Sequence, residues 1–457
     1  MEFTFDVAGF LATAARNPAL AAWAMLASGG WIILLPWAGW IVSVMWLEWR
    51  RGIYDAQRQF TVLAIDIPRD NEQTPRAIES FYAHLSGMHN DPKREDKWIA
   101  GEMEESIGLE IVSLGGYIQF LIHVNARFRD LVEAAIYAQY PEAEITEVED
   151  YAMRFKGITF PNDRFEVWGA ELKLTNAQYY PIKVYREFED AVSGEFKDPM
   201  ASILEIFSKL TPDEQFWFQL VITPARNDWG EPGEELVAKL IGAKVHHKKK
   251  WWERIVEAPF AVITLFADSL GGGAAAAEPE RNVPASQMLH LPPGKRAVVE
   301  SIEHKISKIG FHTRLRLVYI ARKHAFDKAT RTSAFFGAFK QFNTLDMNGL
   351  RPNGKKMTKV YGLFKRTRLN RRKNKIMRWY RLRARQYVPG YYGPIMNIEE
   401  LATIYHFPIM TVKTPSLKRT EAKRAEPPLA LPVEVPMSAG IAPAEQRALT
   451  PPPPAAV

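Results

Sequence analysis

Residues 349–356, GLRPNGKK, fit G-x-x-x-x-G-K, the spacing with which a loop can cradle phosphate. Such a loop aims backbone N–H groups and a helix N-terminus at phosphate oxygens, and its Ser or Thr hydroxyl binds the metal. Here the eighth position is Lys356, so that ligand is missing. Pro352 removes a donor, and the preceding QFNTLDMN is too polar for a buried strand. A turn is the expected structure. The ten histidines include no H-E-x-x-H pair, and no serine sits in G-x-S-x-G. Carboxylates cluster at Glu102, Glu104 and Glu105 and again over 142–150, where solvated loop and strand faces account for them. Zero cysteines exclude disulfides, zinc–thiolate sites and thiol catalysis. No catalytic residue, metal site or cofactor is expected, and the chain reads as non-enzymatic.

The strongest chemical signal is charge. The 457 residues carry a net charge of +7, but residues 351–385 hold 15 Lys/Arg and no Asp or Glu. The rest of the chain is therefore acidic. The segment 359–387, KVYGLFKRTRLNRRKNKIMRWYRLRARQY, is expected to be largely helical, with Tyr361, Phe364, Leu369, Ile376, Trp379 and Tyr380 between its charges. Candidate anion contacts are Lys365, Arg366, Arg368, Arg371, Arg372, Lys373, Lys375 and Arg378. Three readings stay open: a solvated helix packed by its aromatic stripe, contact with nucleic-acid phosphates, or contact with anionic lipid or an acidic partner.

Between Arg16 and Glu48 no residue is charged. A hydrocarbon core needs about 20 apolar residues as a helix, so one tilted span fits, around Gly30–Leu47. Trp31, Trp46, Trp49, Arg50 and Arg51 would mark its interface. The arginines after the span place the bulk of the chain in the cytoplasm by the positive-inside rule, a single-pass topology at the cytoplasmic membrane.

Behind this anchor, residues 60–67 read as a strand, and Pro75 to Gly87 as a helix with a good N-cap at Thr74. Residues 105–113 and 117–124 read as strands joined by a Gly115-Gly116 hairpin, 127–139 as a helix, and 144–149 as an edge strand. That is the ferredoxin-like (split βαβ) order. It recurs more loosely in strands 165–174 and 180–188, helix 200–210, strand 214–223, helix 295–310, strand 311–323 and helix 325–342. The expected fold class is α+β. The expected organisation is an anchor over 1–58, a ferredoxin-like module over 59–151, and a second α+β module over 152–350 with an insertion at 225–292. A basic helical segment follows over 351–412, then a disordered Pro-rich tail over 413–457. Within the insertion, 255–270 reads as a helix too short and charged to span a bilayer.

Four stretches together carry a resemblance: IDIPRDNEQTPRAIESFYAHLSG (65–87), IVSLGGYIQFLIHVNARFRDLVEAAIYAQYPEAEITEVEDY (111–151), IEHKISKIGFHTRLRLVYIARKHAF (302–326) and NIEELATIYHFPIMTVKTPSLKRTEAKRAEPPLALP (397–432). The chain resembles the membrane-anchored N-terminal region of bacterial type IV secretion, conjugation-type (HerA-like) ATPases over most of residues 20–432. In that family an ELA-x-x-Y/W-HFP stretch, matched here by Glu400, Leu401, Ala402, Tyr405, His406, Phe407 and Pro408, lies just before the motor domain. So does a PP-x-LP stretch, matched by Pro427, Pro428, Leu431 and Pro432. No Walker A lysine–Ser/Thr pair follows. The resemblance therefore implies location and partnership rather than ATP hydrolysis, with the motor ATPase either on a separate polypeptide or parted from this chain by a split or truncated gene. The expected function is a membrane-anchored component of a secretion, conjugation or pilus system that docks or positions that ATPase. Membrane lipid is a partner, DNA is the alternative partner through the basic segment, and an oligomer is compatible with either.

Overall fold

The computed structural model describes residues 31–68, 71–190, 196–243, 291–383 and 393–409. The expected helix at 255–270 and Pro-rich tail at 413–457 lie outside the described residues. Helix α1 (Trp31–Ala56) opens the described chain, with Pro36 in its first turns. Among the described residues no helix is long and apolar enough to cross a membrane. The expected span around Gly30–Leu47 begins at the edge of the described residues.

The first half then runs β1 (Phe60–Asp66), α2 (Pro75–Leu85), β2 (Ile107–Leu114), β3 (Tyr117–Asn125), α3 (Arg129–Tyr137) and β4 (Glu144–Val148). The β-branched, apolar FTVLAID makes β1, and Thr74-Pro75 opens α2 as the capping signals require. Gly115 and Gly116 both take positive φ, +63° and +88°, which a tight hairpin with the native twist demands. The strand order is β4-β1-β3-β2, all antiparallel neighbours.

The second half runs β5 (Phe165–Leu174), α4 (Met200–Ser208), β6 (Glu214–Pro224), α5 (Glu231–Leu240), α6 (Pro293–Ile306), β7 (Gly310–Arg322), α7 (Lys328–Phe339) and β8 (Leu350–Met357). Its strand order, β6-β7-β5-β8, repeats that of the first half in mirror sequence across the seam. Strand β2 pairs with β6 along eight residue pairs, from Ile107↔Ile222 to Leu114↔Gln215. The two expected modules are thus halves of one continuous antiparallel sheet in a mixed α/β fold.

Two expectations are corrected. Residues 180–188 form no strand. The amides of Ile182, Lys183 and Tyr185 donate instead to the Glu400 carboxylate (2.9 Å), the Phe342 carbonyl (3.0 Å) and the Thr403 hydroxyl (2.8 Å), and a short 3₁₀ turn follows at Tyr185–Phe188. GLRPNGKK is an edge strand rather than a turn. Pro352 is tolerated there, on β8, because an edge has no outer partner to receive its missing N–H.

One face of the sheet carries the larger core. Leu63, Leu109, Ile122, Phe218, Leu317 and Trp168 pack beneath α2, α3, α4 and α7. The chain ends its described course in this layer, as β9 (Ile395–Asn397) beside β7 and helix α9 (Ile398–Ile404). The ELATIYHFP stretch is wholly internal. Asn397 caps α9 in a reciprocal box with Glu400, and Glu400 also meets the buried Lys305 ammonium at 2.7 Å. His406 Nε2 lies 3.0 Å from Asp198, and Phe407 packs edge-on to Tyr140 with centroids 5.2 Å apart. Breaking a buried ion pair from one side costs about 3–5 kcal/mol. Glu400→Ala is therefore expected to lower stability to urea by about that amount. Lys305→Met combined with Glu400→Leu should recover part of the loss. An unchanged urea midpoint for Glu400→Ala would show that this stretch is not a structural lock.

Candidate anion-contacting surface

The opposite face of the sheet is covered by the basic helix α8 (Lys365–Arg381) and by a short 3₁₀ turn at Tyr151–Phe155. A single row crosses this face, one residue per strand, through Leu121, Glu110, Gln219, Arg316 and Glu171. The last four are buried, in the middle of a sheet. Buried charge needs partners, and the row supplies them in sequence. Gln219 Nε2 donates to Glu110 (2.8 Å), Arg316 Nη1 donates to Gln219 Oε1 (2.7 Å), and Arg314 and Lys356 donate to Glu171 at 2.9 and 2.8 Å.

Glu110 sits beside the seam between the halves. Its carboxylate takes a bidentate pair from Arg383, at 3.0 and 3.1 Å, and the Tyr151 hydroxyl at 2.9 Å. Arg383 also pairs with Asp150. Burial by itself would raise the Glu110 carboxyl. The Arg383 charge and hydrogen bonds, with His123 and Gln219, outweigh it and hold the carboxyl below its ordinary value.

The helix is thereby divided lengthwise. Lys373, Ile376, Met377 and Tyr380 face the sheet, with Lys373 paired to Glu166. Arg372 points back and donates to the carbonyls of Gly354 (3.3 Å), Met357 (3.2 Å) and Lys359. Lys373 is buried and its charge is paired to Glu166, whereas Arg372 is half-buried with its guanidinium engaged by three backbone carbonyls, so neither side chain stands out among the expected anion contacts. Lys365, Arg366, Arg368, Arg371, Lys375 and Arg378 remain exposed. Residues 368, 371, 375 and 378 recur at helical spacing and form one outward stripe. Reading the sequence missed Arg383, Glu110 and Asp150. The available signal was a lone Glu within the apolar IGLEIVSL of β2.

The far end of α8 meets the end of α1. Asp55 and Arg58 of the α1 end, Phe60, His123, Asp150 and Arg383 line a cavity of about 390 Å³. Arg58 joins Asp55 (2.8 Å) and the buried Glu105. Helix α1 is held to the body by close backbone approach. Gly101 adopts φ +75°, and a Cβ there would lie 2.4 Å from the Arg50 carbonyl carbon. Trp46 and Trp49 are exposed, and the Arg50 guanidinium lies 6.0 and 5.8 Å from their ring centroids. Trp46 Nε1 also donates to the Trp98 carbonyl (3.0 Å), and Arg51 pairs with Glu48 (2.9 Å). Trp31 starts the helix. Among the described residues no group of His, Asp or Glu converges to hold a metal ion.

His123 stacks on Phe60 with centroids 4.9 Å apart. Burial, then the Arg383 charge, push its imidazole down from 6.5 to about 4. An unfolded chain then binds a proton that the native chain refuses, so stability falls as pH drops from 6.5 toward 4. His312 is lowered as well, first by burial, and adds to the same loss. His123→Asn is expected to flatten the slope of unfolding free energy against pH in that window. An identical slope in the variant, measured by urea titration at several pH values, would remove His123 from this role.

A search among curated proteins returns no match to the chain. A family model described as Domain of unknown function (DUF8128) matches residues 55–420, from the end of α1 through both halves of the sheet, the basic helix and the buried ELATIYHFP stretch. The chain belongs to that family.

Proposed function

We propose that this chain is a non-enzymatic, membrane-anchored component of a type IV secretion, conjugation or pilus-type system that docks or positions a separate cytoplasmic ATPase. The observation that carries the membrane part is α1. Leu35, Trp37, Trp40, Val42 and Met45 are exposed on it, and Arg50 and Arg51 follow directly. So many large apolar side chains cost free energy in water and gain it in lipid. The polarity of the flanks favours a cytoplasmic body. The strand order of each half supports the ferredoxin-like reading of both modules. The docking part rests on the resemblance in the four quoted stretches. It is supported by the rigid hold on the last described residues, where Asn71 Nδ2 donates to the Pro408 carbonyl (3.1 Å) just ahead of the Pro-rich sequence.

Two measurements judge this reading. After alkaline carbonate washing the chain should remain with the membrane pellet, and release would overturn the anchor. Detergent-extracted chain should retain a motor ATPase on purification, and repeated recovery without one would overturn the docking role.

A second reading, nucleic-acid binding, draws on the outward stripe of α8. Substituting Arg368, Arg371, Lys375 and Arg378 with Gln should then weaken DNA binding and flatten its salt dependence, by a log–log slope change of up to about 0.9 for each phosphate no longer neutralised. DNA affinity that is indifferent to these four substitutions would dismiss it.

A further inference from the structure

Just ahead of α8 the chain does something costly. Val360 is buried, and then Tyr361, Leu363 and Phe364 stand 71, 81 and 81 % exposed. The turn that presents them is built rather than slack. Gly362 takes φ +86°, and Phe364 takes φ +55°, a conformation a bulky residue adopts only when its surroundings impose it. Arg368 Nη1 donates to the Tyr361 carbonyl at 3.0 Å, and Arg372 gathers the carbonyls of Met357 and Lys359. The Lys359 ammonium sits 5.1 Å from the Tyr361 ring centroid. Two arginines of α8 therefore pin an apolar tip outward, and Lys359, Lys365, Arg366 and Arg368 ring it with positive charge.

We propose that the Tyr361–Phe364 tip and the outward stripe of α8 form a second membrane contact, with the tip entering the apolar layer of a bilayer and the stripe lying on anionic headgroups. Two features favour a bilayer over nucleic acid. Leu363 has no ring to stack on a base, yet it is as exposed as Phe364 at the centre of the tip. The placement of the elements agrees. The 17 residues of α8 span roughly 25 Å. The tip stands at one end of that length, and the cations at 368, 371, 375 and 378 run from it along the helix, the arrangement that suits a surface carrying negative headgroups over hydrocarbon. This second contact rests on the membrane reading above and adds to it.

The absence of native cysteine makes the test direct. Full-length Leu363→Cys carries an environment-sensitive fluorophore at the tip, and Tyr137→Cys carries it on the helical layer of the other sheet face. Both are reconstituted in vesicles of phosphatidylcholine alone or mixed with phosphatidylglycerol. The expected result is a blue shift of the 363 probe and its quenching by acyl-chain nitroxides, stronger with phosphatidylglycerol, while the 137 probe stays water-like. In the Arg368, Arg371, Lys375 and Arg378→Gln background the phosphatidylglycerol dependence should shrink. A 363 probe as wet as the 137 probe in both lipids overturns the proposal. So does a 363 probe that responds to added duplex DNA and not to lipid. A chain that survives the carbonate wash while its 363 probe stays wet overturns this second contact and leaves the anchor standing.

Discussion

The structure turns on one buried carboxylate. Glu110 lies at the seam where the two halves of the sheet meet, with no access to water. A lone charge there is untenable, so something must bring a cation to it. Arg383 does so with a bidentate pair, and it sits two residues beyond the last turn of α8. That requirement draws the end of the basic helix onto the sheet. Once Arg383 is fixed, helical periodicity decides the rest: Lys373, Ile376, Met377 and Tyr380 turn inward, and residues 368, 371, 375 and 378 turn out.

The same logic explains why one segment serves two purposes. A helix packed on a sheet by apolar residues alone could rotate or slide at little cost. The pairs to Glu110, Asp150 and Glu166 specify one register, a role best attested for buried polar groups. A fixed register gives the outward cations a fixed direction, and it aims the turn at Tyr361–Phe364 through Arg368 and Arg372. Core and surface chemistry are thus coupled along 17 residues. On the other face, Glu400 and Lys305 play a comparable part by locking the last described helix into the larger core.

Local signals in the sequence carried much of the fold. The alternating FTVLAID, the Gly115-Gly116 turn and the Thr74-Pro75 helix start all correspond to elements as expected. What failed was long-range. Charges all round the 359–387 segment gave no means to tell an exposed arginine from a buried one, because Lys373 finds Glu166 across 207 residues and Arg383 finds Glu110 across 273. Residues 180–188 have the apolar, β-branched look of a strand, but two side chains of α9, Glu400 and Thr403, and the Phe342 carbonyl claim their amides first. The polar GLRPNGKK reads as a turn because an edge strand needs little burial to form. The outward half of the candidate surface was legible in the sequence. The inward half was not, since it depends on partners that only the fold brings near.

Matched substitutions separate the inward from the outward side of the basic helix. The unfolding free energy of full-length Arg383→Gln is compared with that of the combined Arg368, Arg371, Lys375 and Arg378→Gln variant. Arg383→Gln should lose about 3–5 kcal/mol, because it strands the Glu110 carboxylate. Each outward change should stay within about 0.5 kcal/mol. A tolerated Arg383→Gln, or outward substitutions as damaging as that single change, would contradict the account.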